Sequence, residues 1–423
     1  MVRPLPTGYF QILFFSIILC FITYGYTLTN FSLSIDSEQP FFTGPFSSLG
    51  RWGCQLIRVH IFSGIVPYFT LLLGLVLLSF AAVETSRILR LNSIAAYVFC
   101  ALFVSFPQLS YQLVFTLQAD CIGLGFLSGA LVVKYFVQSV HGGITLRNAA
   151  LFIVSSLLFM FTIAIYQTLI IIPVIIYLIY IFQNTFSEEY SFKTELKKGF
   201  LFAALTIISV LLYVISVKIT IPAGSGGGEY LSMYTSGDSS NRFSNFMTEF
   251  FRNLMGKGYY GEKTYVAATI AAIAIIGSFL YNRKKPWPLR TILIIAITIL
   301  PYLLSVFISS GTAPPRLFVA SGIALAFIVT HFTGMFRNQK IALVLPIFIV
   351  LVNIYFITML FWSHSKIYNH DINIARNIDF SIRNQYPEFD PAANYVYFFG
   401  CIPYTEHDRY RIPDSEIFGG SFF

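Results

Sequence analysis

Long apolar runs separated by short polar connections set the pattern of this 423-residue chain. A helix needs roughly 20 apolar residues to cross a bilayer. Runs of about that length fall near 9–29, 60–83, 93–108, 113–136, 148–165, 167–184, 199–219, 264–281, 290–308, 317–334 and 341–362. The fifth and sixth are joined closely through "AIYQTLIIIP". A membrane barrel would instead show alternating segments of about 10 residues, and none occur. The expected fold is an all-α polytopic membrane protein, a bundle of about 11 transmembrane helices. "MVRPLPTGYFQILFFSIILCF" has the basic start of a secretory signal but no small-residue cleavage site, so it reads as an uncleaved first span.

The polar connections divide by charge. "ETSRILRLN", "KYFVQSVHGGITLR", "SEEYSFKTELKKG", "YNRKKPWPLR" and "FRNQK", together with Arg3, hold 14 of the 27 Lys and Arg residues. Positive short loops face the cytoplasm, which puts the N-terminus inside. The larger segments then lie outside: a first loop at 30–59, a second at 220–263, and a tail at 363–423 that follows a transmembrane unit of 1–362. The second loop joins a Gly/Ser hinge to "NRFSNFMTEFFRNLMGKGYY", whose apolar spacing reads as an interfacial amphipathic helix.

A hydrophobic fraction of 56% with only 11% charged residues confirms the membrane class. The net charge of +8 belongs to loops beside anionic lipid and does not call for nucleic acid. Cys20, Cys100 and Cys121 fall in or beside spans as small hydrophobes. Cys54 and Cys401 both fall on the outer side, where an oxidising compartment permits a disulfide. The six histidines lack ligand spacing, so no metal site or cofactor is expected, although a divalent metal is not excluded.

Chemistry concentrates on the outer side. Asp36 and Glu38 follow the first span, Arg51, Trp52 and Arg58 precede the second, and Gln118 and Asp120 begin the fourth. Tyr166 and Gln167 sit at an outer turn, and Arg316 in the short loop "SSGTAPPRLF". Carboxylates beside arginines suit sugar transfer from a lipid phosphate. A base must deprotonate the acceptor hydroxyl, and cations must hold the departing phosphate, for which the arginine fork is best suited. Trp52, Phe41 and Phe42 supply faces for sugar stacking. Each residue also has a plain reading: solvated loop acids for Asp36 and Glu38, lipid anchoring for Arg51 and Arg58, a helix N-cap for Asp120, a span cap for Arg316, and interhelical contacts for Tyr166 and Gln167. An acid inside the apolar band is costly and usually functional, which sets Asp120 apart.

The acidic pair in "SIDSE", the "GRWG" entering the second span, "YQLVFTLQADCIGLGFLSGAL" and "FTIAIYQTLIIIP" resemble the Gtr-type serotype-converting O-antigen glucosyltransferases of enterobacteria and their phages. The resemblance runs over most of the first 320 residues and is weakest in the tail. It implies a GT-C-type glycosyltransferase of the bacterial inner membrane, taking glucose from undecaprenyl-phosphate glucose to O-antigen on lipopolysaccharide at the periplasmic face. That superfamily places a catalytic aspartate in the first outer loop, which Asp36 matches, and a second acid that Glu38 or Asp120 would supply. Adjacent acids are common there, whereas this chain reads Asp-Ser-Glu, which leaves open which carboxylate is the base. Arg51, Arg58 and Arg316 would hold the donor phosphate, and Trp52, Gln118, Tyr166 and Gln167 the sugars. The rivals are a flippase or transporter for a lipid-linked sugar, and an O-antigen polymerase or ligase. Against a transporter, the two halves do not repeat and charge gathers at one face.

Overall fold

A computed structural model describes residues 8–34, 49–62, 66, 68–141, 143, 145–220, 242–307, 313–397, 410–416 and 418. Among these, nine helices are long and apolar enough to cross a membrane. A tenth span results if Ser93–Val104 and Pro107–Leu113, bent by 42° at their junction, count as one. Helix Ser321–Gly334 is apolar but shorter. Each of the eleven apolar runs therefore coincides with a helix, and the chain is a multi-pass membrane protein.

The bundle opens with α1 (Tyr9–Thr29), a short α2 (Trp52–Gln55) that passes into a π-helical turn (Leu56–Ile61), and α3 (Phe69–Ile88). The second span thus begins at Phe69 rather than near residue 60. Just ahead of it Tyr68 takes φ 66°, outside the helical region, so α3 does not extend back through it. Arg58 and His60 consequently belong to the short segment outside the span.

Next come α4 (Ser93–Val104), a bend carrying a 3₁₀ turn (Pro107–Leu109) and α5 (Ser110–Leu113), and α6 (Ala119–Ser139). The Asn92 side chain caps α4 by accepting from Ala95 N–H at 2.9 Å. The third span stops at Val104 because Pro107 opens a new turn, and the fourth starts at Ala119, six residues later than the apolar run suggested.

Helix α6 is central because glycine lets it approach α3 closely. A Cβ added to Gly123 would lie 2.9 Å from Gly74 Cα, and one on Gly74 would lie 2.8 Å from Ala119 C. Small residues at helix contacts are the usual means of tight packing in lipid. On the other side, α6 meets α7 (Leu146–Ile165) through Ser128 and Thr162 hydroxyls 2.8 Å apart and a 2.8 Å bond from Ser155 Oγ to Val132 O.

After α7, Tyr166 is extended and a 3₁₀ turn (Gln167–Ile170) leads into α8 (Ile171–Asn184), so the fifth and sixth runs are two separate spans. Then follow α9 (Phe192–Thr220), α10 (Arg242–Leu254), α11 (Tyr265–Asn282), α12 (Trp287–Ile299), a 3₁₀ stretch (Leu300–Phe307), and α13 (Ser321–Gly334). The amphipathic reading of the second loop holds for α10, which buries Phe246 and Phe250 and exposes Phe243 and Phe251.

The last helix, α14 (Gln339–Gln385), has 47 residues. At 1.5 Å per residue it is about 70 Å long, more than twice the roughly 30 Å hydrocarbon core. It runs without a break past residue 362, where the sequence reading set the start of the tail, and so carries the chain well beyond the bundle.

Side-chain contacts sort the connections into two poles. One holds the Lys/Arg-rich segments. There Glu84 meets Arg87 at 2.7 Å, Lys134 at 3.0 Å and the Tyr9 hydroxyl at 3.3 Å, and Arg290 donates to Thr185 O at 2.6 Å. The other pole joins 49–58, the bend at 105–118, the turn after α7, the end of α9, residues 258–262, 314–321, 410–416 and 418.

Candidate functional site

At this second pole the first loop returns to the bundle and is secured at both ends of a single short segment. Arg51 lies 4.4 Å from the Tyr166 ring centroid and donates from Nε to Gln167 Oε1 at 3.3 Å. Gln167 in turn donates to Leu49 O at 2.6 Å and to the Tyr213 hydroxyl at 3.1 Å. Trp52 donates from its indole nitrogen to Ser216 Oγ at 2.8 Å and packs against Phe161. Four residues singled out from sequence, Arg51, Trp52, Tyr166 and Gln167, therefore form one cluster. Tyr213 and Ser216 complete it, from a span whose hydropathy gave no sign of them.

Two turns further on, Arg58 is fully buried. It donates to Leu117 O at 3.0 Å and forms a close ion pair with Asp120 in the first turn of α6. Burial excludes the lipid-anchor reading of Arg58. Asp120 is not the N-cap, which is Gln118. Its Oδ1 accepts from Arg58 and from Cys121 N–H at 2.9 Å, while the buried Oδ2 has no hydrogen-bond partner. Buried polar atoms are nearly always paired, so this oxygen marks a site of interest. Gln118 sits at the same turn and accepts from Gln112 Nε2 at 3.4 Å.

The bend also carries the third arginine. The Arg316 guanidinium carbon lies 5.3 Å from the Phe115 ring centroid, and its NH1 lies 3.2 Å from Glu416 Oε1. Pro314 and Pro315 lead into its 3₁₀ turn. Gln108, fully buried, ties this turn down: it donates to Pro315 O and accepts from the Tyr259 hydroxyl at 2.6 Å and from Ser321 Oγ at 2.5 Å. Glu262 holds the neighbouring loop by accepting from Gly258 and Tyr259 N–H at 2.5 and 3.2 Å. Burial, then the nearby Glu262 charge, pushes the Tyr259 phenol well above its ordinary range, so it stays a neutral donor. On α10, burial raises the Glu249 carboxyl, and Arg252 opposes the shift.

Sequence reading missed Gln108, Tyr259, Glu262 and Glu416. A glutamine inside "SFPQLSYQL" and an acid at the edge of a span were available signals for Gln108 and Glu262. Glu416 lies in a polar tail with nothing to distinguish it. The three arginines meet different neighbours: Arg51 the ends of α7 and α9, Arg58 the start of α6, and Arg316 the bend and the tail. Asp36 and Glu38, with Phe41 and Phe42, lie outside the described residues.

A small cleft of about 80 Å³ opens at this pole between Leu28 and Phe31 at the end of α1, Tyr68 before α3, Leu113 and Thr116 of the bend, and Phe361 of α14. Cys54 is a buried free thiol that donates to Cys121 Sγ at 3.5 Å, and Cys401 lies outside the described residues. Among the described residues, no three of His, Cys, Asp and Glu gather as a metal-binding group.

The fold and site define a polytopic α-helical membrane protein whose arginines, glutamines and buried acids gather at one pole. A family model described as glucosyl transferase GtrII matches residues 25–330, and the chain belongs to that family. Its chemistry is therefore glycosyl transfer. Comparison with curated proteins finds no match, and neither does comparison with solved structures.

Proposed function

We propose that this glycosyltransferase moves glucose from undecaprenyl-phosphate glucose to O-antigen, at the periplasmic side of the bacterial inner membrane. The observation that carries the reading is the separation of the poles. The Lys/Arg-rich connections gather at one, as cytoplasmic loops do, and the other brings Arg51, Arg58 and Arg316 to the segment where the first loop returns and to the bend beside it. The cleft between α1, α3 and α14 lies at that same pole, with Leu28, Phe31, Leu71 and Phe361 among its walls.

In this reading Asp36 takes the proton from an acceptor hydroxyl, and Glu38 orients the acceptor. The hydroxyl oxygen attacks the anomeric carbon, the bond from that carbon to the phosphate oxygen breaks, and the electron pair leaves with the prenyl phosphate. Arg51 and Arg316 stabilise the charge that develops there. Phosphate leaves readily, so no general acid is needed. Arg58 and Asp120, buried beneath the loop's return, act as positioning residues. Trp52, Tyr166, Gln167 and Gln118 line the approach.

The test is glucose transfer by purified protein from the prenyl-phosphate donor to O-polysaccharide. Wild type adds one hexose per repeat by mass. Asp36→Asn loses about 10²–10⁴-fold with unchanged thermal unfolding, and Glu38→Gln loses less. Polysaccharide of unchanged repeat mass would return the protein to the flippase, polymerase or ligase readings, and a fully active Asp36→Asn would move the base elsewhere.

A further inference from the structure

Arg316 shares its pole with a stretch of tail that no sequence motif distinguishes. Residues 410–416 and 418 are held by four separate parts of the bundle. Ser363 of α14 donates to Tyr410 O, and Tyr260 N–H donates to Asp414 O at 2.9 Å. Glu416 meets Arg316. Phe418 is fully buried, edge-on to Tyr111 and Phe361 at 5.3 Å each. Within this stretch Asp414 and Glu416 both take left-handed backbone angles, φ 59° and 53°. Such conformations cost a side-chain-bearing residue about 1 kcal/mol or more and persist only where the surroundings impose them. The anchors at Asp414 O and Phe418 flank Glu416 and impose the turn that delivers its carboxylate to the guanidinium.

We infer that Glu416 is a positioning residue for Arg316, and that 410–416, with Phe418, forms a strap completing the phosphate side of the site. The inference rests on the reading of Arg316 as a ligand of the donor phosphate. The guanidinium is fixed by the Phe115 face and by the Glu416 carboxylate, which is 18% exposed and so only partly screened by water. Arginine carries its N–H donors in a rigid planar fork, so a carboxylate on NH1 sets the plane the fork presents to a phosphate.

The experiment uses the full chain in nanodiscs, with donor KM, kcat and thermal unfolding measured for each variant. Glu416→Gln is expected to raise donor KM about 10-fold, a change of one hydrogen-bonded charge. kcat should fall as well, because Arg316 also stabilises the charge developing on the leaving phosphate, and the unfolding temperature should be unchanged. Glu416→Asp should recover part of the KM. Phe418→Ala, which frees the strap but keeps both charged groups, should raise donor KM as well. In an Arg316→Ala background, Glu416→Gln should add nothing, because the two act as one unit. An unchanged donor KM in Glu416→Gln overturns the inference. So does a lower one, which would make the carboxylate a competitor of the phosphate. Wild-type KM in Arg316→Ala itself would instead remove the phosphate reading, a result distinct from a silent Glu416→Gln beside a defective Arg316→Ala.

Discussion

Two buried carboxylates, one at each pole, behave differently. Glu84 uses both oxygens: Oε1 meets Arg87 and Tyr9, and Oε2 meets Lys134. Its two cations are 29% and 30% exposed, so they keep contact with the surroundings. Asp120 has one cation, Arg58, which is fully buried, and leaves Oδ2 without a partner. The first cluster is a satisfied anchor at the rim. The second places two charges where desolvation is heaviest and still leaves one acceptor idle. Replacing such a pair with apolar side chains of similar volume is often neutral or stabilising, so stability alone does not account for it.

The largest effect is expected for Asp120→Asn. Removing one partner of a buried ion pair costs about 3–5 kcal/mol and should lower both unfolding temperature and transfer. Stability and function separate in the double variant Arg58→Met/Asp120→Leu, where an apolar pair of similar volume should restore unfolding close to wild type. Transfer should remain down about 100-fold, because the returning loop is no longer held in register and misplacement of about 1 Å costs that much. A double variant with wild-type turnover would reduce the pair to a structural anchor like Glu84 and erase the contrast between the poles.

Much of this was legible from the chain alone. Apolar run length located the eleven long apolar helices, and the Lys/Arg bias grouped the connections that form one pole. Arg51, Trp52, Tyr166 and Gln167 were separately visible as polar residues at span ends, and the fold brings them into a single cluster. Register was less legible. Hydropathy does not see where a helix starts when apolar residues continue through a π turn or a 3₁₀ bend, so the second and fourth spans were placed six to nine residues early. Partnership was least legible. Nothing in "HDRYRIPDSEIF" says that Glu416 will meet Arg316 a hundred residues earlier, because that contact depends on a 47-residue helix whose length hydropathy does not report.

A middle-sized effect should follow from the glycine contact that sets the start of α6. Gly123→Ala places a methyl 2.9 Å from Gly74 Cα, backbone that cannot rotate away. Overpacking of this kind costs about 1–3 kcal/mol. Unfolding temperature should fall, with a smaller loss of transfer than in Asp120→Asn, since the ion pair can follow a slight parting of α3 and α6. Gly277→Ala is the control: nothing lies within 4 Å of its added Cβ, and alanine in a helix interior is favoured over glycine by about 1 kcal/mol. Equal unfolding of the two variants would mean that the close approach does not constrain the pole at Asp120.

The smallest effect is expected at the opposite pole, and it tests the contrast most directly. Glu84→Gln keeps an acceptor oxygen for the Tyr9 hydroxyl and removes the charge shared by Arg87 and Lys134. Those cations are partly exposed and can turn to water or anionic headgroups, and ion pairs of that kind contribute about 0–1 kcal/mol. Unfolding temperature in nanodiscs should therefore move little and transfer should stay within about twofold. Added salt should narrow even that difference, because the wild-type pairs are screened while the amide is not affected. A loss of transfer comparable to Asp120→Asn would show that the two carboxylates are coupled through α3 and α6, the helices that connect them, and the poles could then no longer be treated as independent.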